Sequence, residues 1–158
     1  MPAGRQVVKN VLSAVAVAGF GFVLLNLTFM FDWLFQSAVT WLVRLFISIN
    51  PQMTYGWYPP MMHGLFVVVI GLISWWVFKS KLGVLYKAIY MTVPLAVVLV
   101  SIGIFLYRWP VVPYLVGGLF SLGVLYYFYR TRQSWLYYYT VILVSLILGI
   151  AGLLGVQI

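Results

Sequence analysis

The sequence predicts an all-α, multi-pass transmembrane helix bundle with five spans and one additional amphipathic helix. Of its 158 residues, 65% are hydrophobic and 6% are charged, and the mean hydropathy is +1.11. A soluble domain carries about a quarter charged residues, so lipid must be the main solvent of this chain. The apolar runs are long and continuous, which favours helices over the short alternating strands of a membrane β-barrel.

The first span is predicted over residues 11–31, a length that just crosses a hydrocarbon core of about 30 Å. Its first half is rich in small residues. Ala14 and Ala18 lie four positions apart, so one face should let another helix approach closely. Asn26 and Thr28 place polar groups near its far end.

Residues 33–49 have the period of a helix with a wide apolar face and a narrow polar stripe. The residues of that stripe recur every four positions: Gln36, Thr40, Arg44 and Ser48. Such a helix either lies in the membrane interface or crosses the bilayer with its stripe facing other helices.

No turn residues separate Phe31 from Trp33, so Asp32 alone would make a poor hairpin between two spans. The same aspartate is a good N-cap for a helix that bends away from the first span. We therefore expect an interfacial or shallow re-entrant helix over 33–49. A sixth span is the alternative.

A loop with three prolines and a glycine, residues 50–60, precedes the remaining four spans. We predict these spans at about 61–78, 88–107, 111–129 and 135–156, within a single transmembrane domain covering 1–158. Several small residues in the last two spans are spaced for close helix packing: Gly117, Gly118, Ser121, Ser145 and Gly149. They should hold the bundle together, or else dock it onto another copy of itself or onto another membrane protein.

The basic residues predict the orientation. With five spans and a cytoplasmic N-terminus, Arg44 and Arg108 lie outside and seven bases lie inside: Arg5, Lys9, Lys79, Lys81, Lys87, Arg130 and Arg132. This arrangement satisfies the positive-inside rule better than six spans do. The sequence thus predicts an integral protein of the cell (inner) membrane, with its N-terminus cytoplasmic and its C-terminus outside.

The acidic residue Asp32 and the histidine His63 are each the single example of their kind in the chain, and both fall at the predicted outer end. They could form a proton-transfer pair, or could serve as a helix cap and a headgroup-level histidine. The candidate polar site at this face comprises Asp32, His63, Arg44, Arg108, Asn26 and Tyr58. Its arginines suit phosphate or carboxylate groups, or snorkel to the interface.

Other kinds of chemistry find no support in the sequence. No cysteine is present, and no metal-ligand cluster, phosphate-binding loop or nucleophile elbow is found, so we predict no cofactor, no metal and no catalytic residue. The bases at helix ends serve topology and lipid headgroups rather than nucleic acid. Since no acidic residue lies within a predicted span, a cation pump or proton antiporter is not expected.

We therefore expect a small carrier-like or channel-like component, or an accessory subunit, that handles a neutral or anionic solute or lipid. Its partners would be the lipid bilayer and either further copies of itself or a larger membrane complex. The alternative is a membrane-embedded enzyme that acts on a lipid or isoprenoid at the outer leaflet through Asp32 and His63. A large separation between these two side chains would exclude the enzyme.

Overall fold

A computed structural model describes residues 3–46 and 58–154, and this part of the chain forms five helices and no strand. The helices are α1 Ala3–Phe46, α2 Tyr58–Lys79, α3 Val84–Leu106, α4 Val112–Arg130 and α5 Trp135–Leu153. All five are long and apolar enough to cross a membrane. The predicted all-α bundle with five spans is therefore confirmed.

The boundary predicted between the first span and the 33–49 helix is wrong, because α1 continues without interruption through Asp32 to Phe46. No glycine or proline follows Gly21 in this helix, so nothing breaks its hydrogen-bond ladder. Asp32 does not cap a helix. Its carboxylate instead accepts a hydrogen bond of 2.9 Å from Gln36 Nε2, one turn further along α1. Residues 47–49 lie outside the described part.

The central helix is α3, which packs against each of the other four. Most of its buried residues belong to a core shared with α1 and α5: Val17, Ala88, Ile89, Met91, Leu95, Ala96, Leu136, Tyr137, Val141 and Val144. On another side, Val93 and Val97 pack against Phe66 and Ile70 of α2. The buried share of α3 is accordingly the largest among the five candidate spans.

Helices α1 and α3 approach each other closely at Gly21. This glycine is buried, and a Cβ atom added there would lie 2.6 Å from Thr92 Cγ2. Thr92 is itself buried, with its hydroxyl donating to Ile89 O within α3. A side chain larger than hydrogen at position 21 would therefore push the two helices apart.

The bundle has two ends of different composition. We call the end where α2 and α4 finish and α3 and α5 begin the lysine end, because it carries Lys79, Lys81 and Lys87. The opposite end, where α2 and α4 begin, is the histidine end and contains His63. Since Gly21 contacts the first half of α3 and Asp32 reaches His63, α1 runs from the lysine end to the histidine end.

At 44 residues, α1 is about 66 Å long, roughly twice the thickness of a hydrocarbon core. Val17 packs beside Ala88 and Tyr137, which lie in the first two turns of α3 and α5. Residues 3–12 therefore extend about 15 Å beyond the other helices at the lysine end. By the same reasoning from Asp32, residues 38–46 extend about 13 Å beyond the histidine end.

Candidate functional site

Asp32, His63 and Ser101 form a polar network that joins three helices near the histidine end. His63 Nε2 lies 2.9 Å from Ser101 Oγ, and His63 Nδ1 lies 3.9 Å from Asp32 Oδ2. The first distance is a hydrogen bond, whereas the second is an ion-pair separation longer than a hydrogen bond. The network thus connects α1, α2 and α3 through side chains that the sequence separates by at least 31 residues.

Both ends of this network are held by hydrogen bonds within helices. Asp32 accepts from Gln36 Nε2 at 2.9 Å, and the Ser101 hydroxyl donates to Val97 O. These bonds fix the positions of the carboxylate and the hydroxyl independently of His63. His63 and Ser101 are buried, and the Asp32 side chain is 17% exposed, so the open side of the network is at Asp32.

Aromatic rings surround the histidine. The centroid of the His63 ring lies 6.4 Å from that of Phe66 and 6.0 Å from that of Phe105. Phe31 and Phe35 of α1 pack on Phe66 at 6.0 Å each. These rings cover one side of the imidazole and keep water away from it.

The other predicted site residues are not brought to this network. Arg44 is exposed in the last turn of α1, about 18 Å along the helix from Asp32. Arg108 is exposed between α3 and α4, with its guanidinium 6.0 Å from the centre of the Tyr107 ring. Asn26 is exposed and donates to Phe22 O within α1. Tyr58 is the first residue of α2, and its side chain lies outside the description.

The position of Asp32 also differs from the prediction that bears on transport. We expected no acidic residue within a span, yet α1 carries Asp32 inside a candidate span that covers Gly4–Leu45. Ionisable residues inside membrane bundles commonly belong to ion or proton pathways. The predicted lack of carboxylates in the spans, which spoke against proton-coupled function, is therefore wrong.

Ser101 is not among the site residues predicted from the sequence. It lies 38 residues from His63, so no local spacing connects the two. The one signal available was that Ser101, like Thr92, is a small polar residue within the apolar span of 88–107. Polar side chains at such depth usually bond to a neighbouring helix or to their own backbone, and Ser101 does both.

A cavity of about 560 Å³, which we call the glycine groove, opens between α3, α4 and α5 at the histidine end. Its lining includes Gly103, Gly118 and Gly149, and a Cβ atom added at any of these three would meet nothing within 4 Å. Because these three glycines carry no side chains, they leave open space rather than making close helix contact. Tyr107 and Tyr114 line the same groove, from α3's C-cap and from α4.

The residues predicted to pack helices divide into two groups. Ser121 Oγ and Ser145 Oγ lie 2.8 Å apart and join α4 to α5, while Gly117 is buried against Leu99 of α3. Gly118 and Gly149 line the glycine groove, as the other three also do, but a Cβ atom added at either glycine would meet nothing within 4 Å. The residues that join the helices thus also line the groove.

A second cavity, of about 620 Å³, lies at the lysine end between α3, α4 and the start of α5. Most of its lining is apolar, with polar groups from Lys87, Gln133 and Tyr137. Lys87 Nζ donates a hydrogen bond of 2.7 Å to Phe78 O, at the C-terminal end of α2. This bond holds the ammonium group at the edge of the bundle.

Within residues 3–46 and 58–154, no group of three or more histidine, cysteine, aspartate or glutamate residues is placed to hold a metal ion. No family model matches the chain, and no curated protein or solved structure is significantly similar to it.

Proposed function

We propose that this integral membrane protein is a carrier-like or accessory subunit that binds a lipid, with the lipid's apolar chain in the glycine groove. The observation that carries this proposal is the open space in front of Gly103, Gly118 and Gly149. A bundle selected only for tight packing would fill that space with side chains.

The chemistry of the groove favours an acyl or isoprenoid chain as its occupant. The groove is open on one side and lies between three candidate membrane-spanning helices, so the molecules that reach it first are lipids. Its lining is mostly apolar, and the hydroxyls of Ser121 and Ser145 are bonded to each other. Its volume falls within the range of about 300–1,000 Å³ that is usual for small-molecule sites.

The mouth of the groove suits an anionic headgroup. Tyr107 and Tyr114 line it, and Arg108 lies exposed beside Tyr107 at the histidine end. A guanidinium binds phosphate through paired hydrogen bonds, and a tyrosine hydroxyl can add a further donor. A phospholipid would thus place its chain between α3, α4 and α5 and its phosphate near Arg108.

The distribution of the basic residues supports an orientation of the protein in the membrane. We place the lysine end at the cytoplasmic face, because seven of the nine bases lie there or on the α1 extension beyond it: Arg5, Lys9, Lys79, Lys81, Lys87, Arg130 and Arg132. The C-terminus is then outside, and residues 38–46 of α1 reach the outer interface, where Trp41 suits the headgroup region.

Labelling of single cysteines with an impermeant maleimide tests this orientation. We expect Arg108→Cys to react from outside and Lys81→Cys to react only after permeabilisation.

The lipid site is tested by filling the groove. A double variant, Gly118→Leu with Gly149→Leu, places two side chains in the open space, whereas Gly123→Leu places one on the exposed face of α4. Purified protein in vesicles is exposed to phosphatidylglycerol that carries a diazirine in one acyl chain. We expect at least a fivefold loss of labelling in the double variant and wild-type labelling in Gly123→Leu. Equal labelling of all three would contradict the proposal.

The second candidate function is a membrane-embedded enzyme that acts on a lipid or isoprenoid. It is favoured by one observation, which is that Ser101, His63 and Asp32 follow one another in the order of a serine–histidine–aspartate triad. Burial of Ser101 and donation of its hydroxyl to Val97 O count against it, since a nucleophile must reach the substrate. Labelling by a fluorophosphonate that Ser101→Ala abolishes would support the enzyme.

A further inference from the structure

We propose that the cavity of about 620 Å³ at the lysine end, which we call the lysine-end cavity, binds an anionic phospholipid from the membrane leaflet at that end. In this site one acyl chain lies along the apolar lining, and the phosphate is bound by Lys87 and Arg132. The site is distinct from the glycine groove, which opens at the opposite end of the bundle. It does not depend on what occupies that groove.

The lining of the lysine-end cavity has the depth of one leaflet. Its residues on α3 share one face of that helix and run from Lys87 to Val98. At about 1.5 Å per residue this face is about 16 Å long, which is roughly half of a hydrocarbon core of about 30 Å. An acyl chain that enters beside Lys87 therefore ends near the centre of the bilayer.

The cavity is open to lipid from the side. Within the described residues, α2 and α4 make no close contact with each other, although both pack against or beside α3. Phe78 of α2 and Val124 of α4 both line the cavity, so it lies in the gap between these two helices. Both helices are long and apolar enough to span the membrane, so the molecules that face this gap are lipids.

The ammonium group of Lys87 is held at the edge of this cavity with donors to spare. Its Nζ donates one hydrogen bond of 2.7 Å to Phe78 O, and the side chain is half-buried. An ammonium group has three hydrogens, so two remain for another acceptor. The chain has one acidic side chain, Asp32, which lies at the histidine end, so no side-chain carboxylate neutralises Lys87. A lipid phosphate is the anion that the membrane supplies at this depth.

Arg132 has a backbone conformation that favours glycine. Its φ of 50° is left-handed. The bonds from Arg132 N to Tyr129 O and from Gln133 N to Phe128 O place it just after the cap of α4, where glycine is the usual residue. Arginine at this position strains the turn, yet it puts a guanidinium directly before Gln133, which lines the cavity. Strain at a residue whose side chain suits phosphate is typical of a ligand site.

Tyr137 favours a phospholipid over a fatty acid. Its side chain is 9% exposed, lines the cavity and packs on Phe128 with ring centroids 5.6 Å apart. Among the residues that the structure describes, its hydroxyl has no hydrogen-bond partner and is available to a molecule in the cavity. The ester carbonyl of a phospholipid, just below the phosphate, is an acceptor for this donor, whereas a fatty acid has no ester.

Photolabelling of wild-type protein tests the site. The protein is reconstituted in phosphatidylcholine vesicles that contain a small, equal amount of either phosphatidylglycerol or phosphatidylcholine with a diazirine in one acyl chain. Adducts are assigned residue by residue by mass spectrometry, so the two cavities are read separately. On Met91, Leu95 and Val124 we expect about tenfold more adducts from the anionic lipid, the factor that one charge-assisted hydrogen bond gives. Equal yields, or more effective competition by oleate than by unlabelled phosphatidylglycerol, would overturn the proposal.

Two variants test the proposed phosphate ligands. Lys87→Gln and Arg132→Gly should each lower the labelling of this cavity by about tenfold. Arg132→Gly should do so with an unchanged or higher Tm, because glycine relieves the strain at φ 50°. Lys79→Gln is the matched control, since this ammonium lies 4.2 Å from the centre of the Trp75 ring rather than at the cavity. An equal loss in Lys79→Gln would show that surface charge alone attracts the lipid.

The double variant Gly118→Leu with Gly149→Leu separates this site from the glycine groove. We expect it to lose adducts in the groove and to keep wild-type labelling on Met91 and Val124, because it changes no residue of the lysine-end cavity. Loss at both places would contradict two separate sites. The comparison of the two lipids on wild-type protein decides the matter if a variant fails to fold.

Discussion

Gly21 of α1 lies so close to Thr92 of α3 that a Cβ atom at position 21 would be 2.6 Å from Thr92 Cγ2. This contact sets the distance between the longest helix and the central helix. It also sets their register, since Val17 lies one turn before Gly21 in the shared core and Asp32 lies three turns after it beside His63.

We therefore expect Gly21→Leu to destabilise the bundle by about 1–3 kcal/mol, the usual range for overpacking a well-packed interface. Thermal unfolding in detergent, followed by circular dichroism, measures the effect as a lower Tm. Gly19→Leu is the matched control, because Gly19 is exposed on the same helix with nothing within 4 Å of an added Cβ atom. Equal Tm values for the two variants would show that α1 does not pack through Gly21.

The continuity of α1 predicts a long distance between its ends. Val8 and Trp41 are both exposed, and along one straight helix they lie about 50 Å apart. Since the chain has no cysteine, spin labels on Val8→Cys and Trp41→Cys report this distance alone by pulsed electron resonance. A distance below about 40 Å would instead place a bend near Asp32.

The bond between Ser121 and Ser145 should contribute modestly to the packing of α4 on α5. Hydrogen bonds between membrane helices are worth about 0.6 kcal/mol on average and rarely exceed about 1.7. We expect a double-mutant cycle of Ser121→Ala and Ser145→Ala to give a coupling free energy in that range. Unfolding in mixed micelles provides the four free energies. Strict additivity of the two substitutions would mean that the hydroxyls do not interact.

Replacement of His63 by phenylalanine should destabilise the histidine end. The substitution keeps the ring contacts with Phe66 and Phe105 but removes the imidazole that faces Asp32 and bonds to Ser101. Loss of a hydrogen-bond partner of a buried polar group such as Ser101 costs about 1–3 kcal/mol, which unfolding measures directly. The double variant with Asp32→Leu should recover part of this loss, since it removes a carboxylate that then keeps only its bond from Gln36. No recovery would indicate that the two side chains are independent.

Sequence reasoning could predict the five spans because length and apolar composition determine them. It could not find the continuity of α1, since an aspartate that caps a helix and one that bonds to a glutamine four residues later look alike in a sequence. The pair Asp32 and Gln36 did carry that information, because side chains four apart meet on a helix surface.

The candidate site was predictable only in part. Asp32 and His63 attracted attention as single examples of their kind, and the structure brings them within 3.9 Å. Ser101 could not be found, since its partner is 38 residues away and depends on how α2 and α3 pack. The face by which α1 packs also differs from the predicted one. Ala14 and Ala18 are half-buried, whereas Val17 and Gly21 are buried against α3 and α5.

The claim that a lipid chain occupies the glycine groove is tested most directly by mapping where the photoactivated phosphatidylglycerol attaches. Wild-type protein is labelled in vesicles, digested and analysed by mass spectrometry. We expect adducts to concentrate on groove residues such as Gly103, Tyr114 and Leu148, with few on the outward-facing Leu119 and Leu122 of α4. Adducts spread evenly over the outward faces, with none above that level in the groove, would contradict the proposed function.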